Sequence, residues 1–120
     1  MASVSKPTMV RGIWEENGEF FNLSTAITKL LPNSSEKRKL LKGSTISNST
    51  SSARAVTFYL PPVGVYPTDQ HIVGCDFPLS NRETLEIPTW FIPPGRELWA
   101  DTDGNNAVTA LLTWKVESVR

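Results

Sequence analysis

From Val108 to Val116 every second residue is apolar. Val108, Ala110, Leu112, Trp114 and Val116 fall on one face, with Thr109, Leu111, Thr113 and Lys115 on the other. Five apolar residues at period two specify a strand with one buried face. This strand closes a longer segment, Arg82 to Glu117, which reads as three strands joined by two turns, with the last strand central to a sheet. Pro93-Pro94-Gly95 suits a type II turn, because proline sets φ at the second position and glycine supplies positive φ at the third. Asp103-Gly104-Asn105-Asn106 carries the residues of a tight turn. Between these turns Leu98 and Ala100 face one way and Trp99 the other.

The rest of the chain follows the same logic. Asn17-Gly18, flanked by Trp14 and Phe20, is the dipeptide a type I′ hairpin turn favours, so residues 12–23 read as a hairpin. Ser24 to Leu31 fits a short helix or a strand, and its β-branched residues favour the strand. Ala55 to Leu60 alternates, with Val56, Phe58 and Leu60 on one face, until Pro61-Pro62 removes the ladder donors. His71 to Phe77 reads as a further strand closed by Pro78, and Leu85 and Ile87 point one way in a short one. Seven or eight strands with turn signals roughly every 8–12 residues imply an all-β, two-sheet antiparallel sandwich, jelly-roll-like.

A chain of 120 residues is one domain on size, divided as an N-terminal arm over 1–11 and a sandwich over 12–120. Twelve basic and twelve acidic side chains cancel, so no general field draws in nucleic acid or a membrane surface. No signal-peptide core or membrane-length apolar run is seen, and a chain made and folded in a cytoplasm that stays soluble is expected.

Chemistry is sparse. His71 and Cys75 are the lone histidine and cysteine. Four apart on a strand, they would sit roughly 13 Å apart, out of hydrogen-bond reach. Cys75 therefore reads as a small buried side chain and His71 as a rim residue. Asp101-Thr102-Asp103-Gly104 resembles the start of a calcium loop, but Asn106 and Leu112 stand where the glycine and the bidentate glutamate belong. No catalytic group, metal site or cofactor is expected. Lys37-Arg38-Lys39 with Lys42 is a basic cluster without neighbouring aromatics, read as a solvated loop or a contact for an acidic protein neighbour rather than a nucleic-acid site. Trp90, Phe91 and Trp99 are the better contact candidates, since large aromatics anchor interfaces.

Over residues 40–118 the chain resembles a group of small tailed-phage and prophage virion proteins. The likeness rests on Ile46-Ser47-Asn48-Ser49-Thr50, Val56-Thr57-Phe58-Tyr59-Leu60, and Leu79 with Glu83-Thr84-Leu85-Glu86-Ile87-Pro88. Pro94-Gly95-Arg96-Glu97-Leu98-Trp99-Ala100 and the run Val108 to Glu117 complete it. The resemblance implies a non-enzymatic virion protein, foremost a capsid cement or decoration subunit. Its partners would be the major capsid protein or other virion proteins, and it would form a homo-oligomer, with a trimer favoured. The alternative is a tail or neck adaptor binding a receptor or carbohydrate, with Tyr66, Trp90 and Trp99 as a stacking platform. Expected contacts are the arm, Trp90, Phe91, Trp99 and Tyr66, with Arg38 and Arg96 setting register.

Overall fold

The C-terminal alternation becomes the longest strand among the described residues, with Val108, Ala110 and Leu112 fully buried on one face. The computed structural model describes residues 15–118, with the side chains of 15, 16 and 75–77 left aside. Ten strands are present among them: β1 (Glu15–Asn22), β2 (Thr28–Leu31), β3 (Lys37–Leu41), β4 (Thr45–Asn48), β5 (Arg54–Tyr59), β6 (Ile72–Leu79), β7 (Thr84–Glu86), β8 (Trp90–Ile92), β9 (Leu98–Thr102) and β10 (Val108–Ser118). A 3-10 turn at Asp69–His71 precedes β6. The expected arm over 1–11 and Trp14 lie outside the described residues, as does the side chain of Cys75.

The strands form two antiparallel sheets packed as a sandwich. One runs β7-β4-β10-β3-β8 with β1 on the other side of β10; the other runs β2-β9-β5-β6. Ten strands exceed the seven or eight expected because two long strands are each broken in the middle. β3 and β4 both pair with β10 on the same side, but Leu41 lies opposite Trp114 and Thr45 opposite Leu111. Lys42, Gly43 and Ser44 therefore face only Leu112 and Thr113, which is a β-bulge. β8 and β7 run along β3 and β4 in one register, broken at Ile87-Pro88-Thr89. Counting each broken pair once, the sheets have chain orders 1-8-3-6 and 2-7-4-5. Consecutive strands thus alternate between sheets except at the fourth and fifth, which is a jelly-roll winding.

The bulge has a local cause. Gly43 sits at φ 76°, where only glycine is unstrained. Buried Ser44 then places its hydroxyl to accept from the Thr113 N–H at 2.9 Å and donate to the Thr113 carbonyl at 3.1 Å. A Cβ at Gly43 would meet Thr113 at an ordinary 3.5 Å, so space is available. Gly43→Ala is expected to cost about 1–2 kcal/mol, through backbone strain alone. Chemical denaturation checks it, and Gly43→Asn should recover part of the loss because Asn tolerates this region.

Other expectations are corrected. Asn17-Gly18 makes no turn: β1 is unbroken and every residue from Glu15 to Asn22 pairs with β10. A dipeptide's turn preference yields here to an eight-residue ladder. The expected strand from His71 begins at Ile72, because Thr68 caps a 3-10 turn that takes His71 as its last residue. The strand also runs through Pro78, tolerated because β6 is a sheet edge. The basic run is no loop: Lys37–Leu41 is β3, held between β10 and β8. Ser24 to Leu31 contains a strand from Thr28, as its β-branched residues favour. The Pro93-Pro94-Gly95 turn forms as expected, with Gly95 at φ 82° and Arg96 N–H donating to the Pro93 carbonyl.

Between the sheets lies one apolar core that includes Leu31, Leu41, Ile46, Val56, Phe58, Ile92, Leu98, Ala100 and Leu112. Phe58 from one sheet meets Trp90 from the other edge-on, with ring centres 5.8 Å apart.

Candidate functional site

Strand parity assigns each candidate side chain to a face. In β8, Ile92 is fully buried, so Trp90 shares its inward face and Phe91 points out. Trp90 is half-buried against Phe58 and packs on the core. In β9, Leu98 and Ala100 are fully buried and Trp99 points out from the other sheet. Phe91 and Trp99 therefore mark opposite outer faces of the sandwich.

On the six-stranded sheet, Phe91 is 47% exposed. It stands opposite Leu40. The Arg38 guanidinium lies over its ring, 5.1 Å from the centre, and pairs with Glu117 on the next strand. Arg38 is thus fixed by a carboxylate with its guanidinium held over the aromatic, a cation–π arrangement. Phe20, opposite Leu111, adds a second outward aromatic on this sheet and is 70% exposed.

On the four-stranded sheet, the Pro61–Gln70 connection folds back over the strands. Val63 N–H donates to Gly95 O, and the Arg96 guanidinium donates to Leu60 O at 3.0 Å. Arg96 thereby ties the connection to the Pro93–Arg96 turn. Tyr59, on the outward parity of β5, is only 6% exposed, and its hydroxyl donates to Asp101 at 3.3 Å. The connection delivers Tyr66, 61% exposed, edge-on to Trp99 at 5.4 Å. Lys29 lies 5.7 Å from the Trp99 ring centre and pairs with Glu97 at 3.4 Å. Glu97 is buried, and its Oε1, like Trp99 Nε1, has no hydrogen-bond partner.

The structure therefore brings Arg38 together with Phe91, and Tyr66 together with Trp99. It places Trp90 inside and Arg96 in a loop tie. Sequence reasoning missed Lys29, Glu97 and Glu117; strand register reveals them, since Glu117 stands opposite Arg38 and Lys29 opposite Trp99, with Glu97 just before β9. Neither cluster pairs a nucleophile with a base. Among the described residues no three His, Cys, Asp or Glu side chains group as a metal site, and no helix is long and apolar enough to cross a membrane. The His71 ring accepts the Thr68 N–H as part of its cap.

No family model matches the chain, and no curated protein does. Among solved structures, a protein of Bacillus endospore appendages, described as a novel family of disulfide-linked pili, superposes with a TM-score of 0.59. The match covers 98% of this chain and 100% of that one at 7% identity. At that identity the likeness is one of fold.

Proposed function

We propose that this chain is a non-enzymatic structural subunit that docks on neighbouring proteins through both outer faces, with a tailed-phage capsid as its particle and a cement or decoration role there. The observation that supports the reading is the placement of Arg38-Phe91 and Tyr66-Trp99 on opposite sides of the sandwich. A small-ligand binder needs one such face, whereas a subunit that bridges neighbours needs at least two. Outward-facing Trp, Tyr, Phe and Arg are residue types enriched at interfaces. The assembly resemblance over 40–118 supplies the particle, and a trimer on its surface follows the same source. The adaptor alternative keeps Tyr66 and Trp99 as a stacking pair but loses Trp90 from the platform.

A second reading, a subunit of a surface filament, is favoured by the fold likeness to the appendage protein. The two separate cleanly. As a cement, the purified chain stays in small oligomers and adds to capsids stripped of it, restoring their resistance to heat. As a filament subunit, it polymerises alone. Phe91→Ala is expected to weaken capsid binding by about 2 kcal/mol, near thirtyfold, without lowering the melting temperature appreciably. Unchanged capsid occupancy in both Phe91→Ala and Tyr66→Ala would remove the cement reading.

A further inference from the structure

At one end of the sandwich the six-stranded sheet outruns its partner. β2 ends at Leu31, while β10 continues to Ser118 and β3 starts at Lys37. Between the Pro32–Ser34 segment and the inward faces of β3 and β10 lies an open cleft of about 400 Å³. Its floor is Trp114 and Val116, both half-buried, and its sides carry Asn33, Lys37 and Lys39.

Lys39 is unusual in its setting. It shares the inward parity of Leu41 and stands in register between Ile92 and Val116. Its amine donates to the Pro32 carbonyl and lies over the Trp114 ring, 5.9 Å from the centre. Burial first, and Lys37 second, hold its pKa below the usual lysine value, with Glu97 opposing them. Among the described residues neither Lys37 nor Lys39 has a carboxylate within salt-bridge distance. Asn33 donates to the Pro93 carbonyl at 3.1 Å, but its Oδ1 is buried without a partner. Snorkelling accounts for the Lys39 stem, but it leaves the buried Asn33 acceptor without a partner.

We propose that this cleft binds an extended acidic peptide segment of a partner protein. A carboxylate between Lys37 and Lys39 supplies a counter-charge that neither has within salt-bridge distance among the described residues, and an apolar side chain covers Trp114 and Val116. A nucleic-acid strand fits less well, because its successive phosphates call for a run of cations and the cleft offers two lysines. The site names a partner chemistry for the assembly reading and rests on that reading for the existence of a neighbour. Its test uses the purified chain alone, so failure here leaves the capsid experiment standing.

The probes are the acetylated pentapeptide Asp-Leu-Asp-Leu-Asp, its Lys-Leu-Lys-Leu-Lys counterpart and an eight-residue oligothymidylate, titrated by calorimetry and by amide NMR. The acidic peptide is expected to shift Asn33, Lys39, Trp114 and Val116. Lys37→Gln with Lys39→Gln should weaken it at least tenfold while the fold melts as before, and Asn33→Asp should weaken it several-fold. Equal binding by the basic peptide, tighter binding by the oligonucleotide, no shift at the cleft, or no loss in the double variant would each overturn the proposal. So would self-association that the double variant abolishes and the acidic peptide fails to compete, since a second copy would then fill the cleft.

Discussion

Replacing Phe58 by alanine is expected to lower the unfolding free energy by about 3–5 kcal/mol. That is a large share of the roughly 5–15 kcal/mol available to a domain of this kind. Phe58 is 1% exposed and is the largest fully buried side chain among the described residues. It lies in β5, which pairs with β6 on one side and β9 on the other, so no free edge is nearby to collapse into the space. Its ring meets Trp90, on the opposite sheet, edge-on at 83°. Truncation therefore leaves a cavity and also removes an aromatic contact between sheets, worth about 0.5–1.5 kcal/mol beyond its area. Denaturant midpoints at constant slope measure the loss. Phe91→Ala is the matched control: the same chemistry on the outward face should cost under about 1 kcal/mol. A Phe58→Ala loss no greater than that of Phe91→Ala would mean the sheets are held together elsewhere.

What could be read from the sequence follows from how local each signal is. The alternation in β10, β5 and β9 is set by burial of one face, so it appears in the chain itself and assigns Val56, Phe58, Leu98, Ala100 and Leu112 to the core. Type II turn chemistry at Pro93-Pro94-Gly95 is equally local. Asn17-Gly18 misled because its turn preference is worth little beside eight ladder partners that lie some ninety residues away. Lys37 to Lys39 looked like a loop because charge hides a strand whose neighbours are both distant in sequence. The candidate faces were half legible. Phe91, Trp99 and Tyr66 are conspicuous as aromatics, but Trp90 differs from Phe91 only by parity, and β8 is too short to display any. Glu117 beside Arg38, Lys29 beside Glu97, and Lys39 above Trp114 are products of register and sheet packing, which no local pattern encodes.

Asn48 offers the second large effect, and it tests the turn scaffold rather than the core. The side chain is 2% exposed at the end of β4. Its amide donates to the carbonyls of Ser52 at 2.7 Å and Ser80 at 3.1 Å, and its Oδ1 accepts from the Thr50 N–H and hydroxyl. One residue thus holds two connections, after β4 and after β6, against each other. Asn48→Ala leaves two carbonyls and an N–H without these partners, and is expected to cost about 2–4 kcal/mol. Asn48→Asp should be worse at neutral pH, because it keeps the acceptor for Thr50 but sets a negative charge against the two carbonyls. Burial and those carbonyls raise the new carboxyl's pKa in the folded state above its unfolded value. The folded state then holds more protons than the unfolded one between the two pKa values, so stability relative to Asn48→Ala rises as pH falls through the folded pKa. Denaturation of both variants across the acid range reads this directly. If the gap between them stays constant with pH, the buried amide is not donating to Ser52 and Ser80, and the two connections are held by their backbones alone.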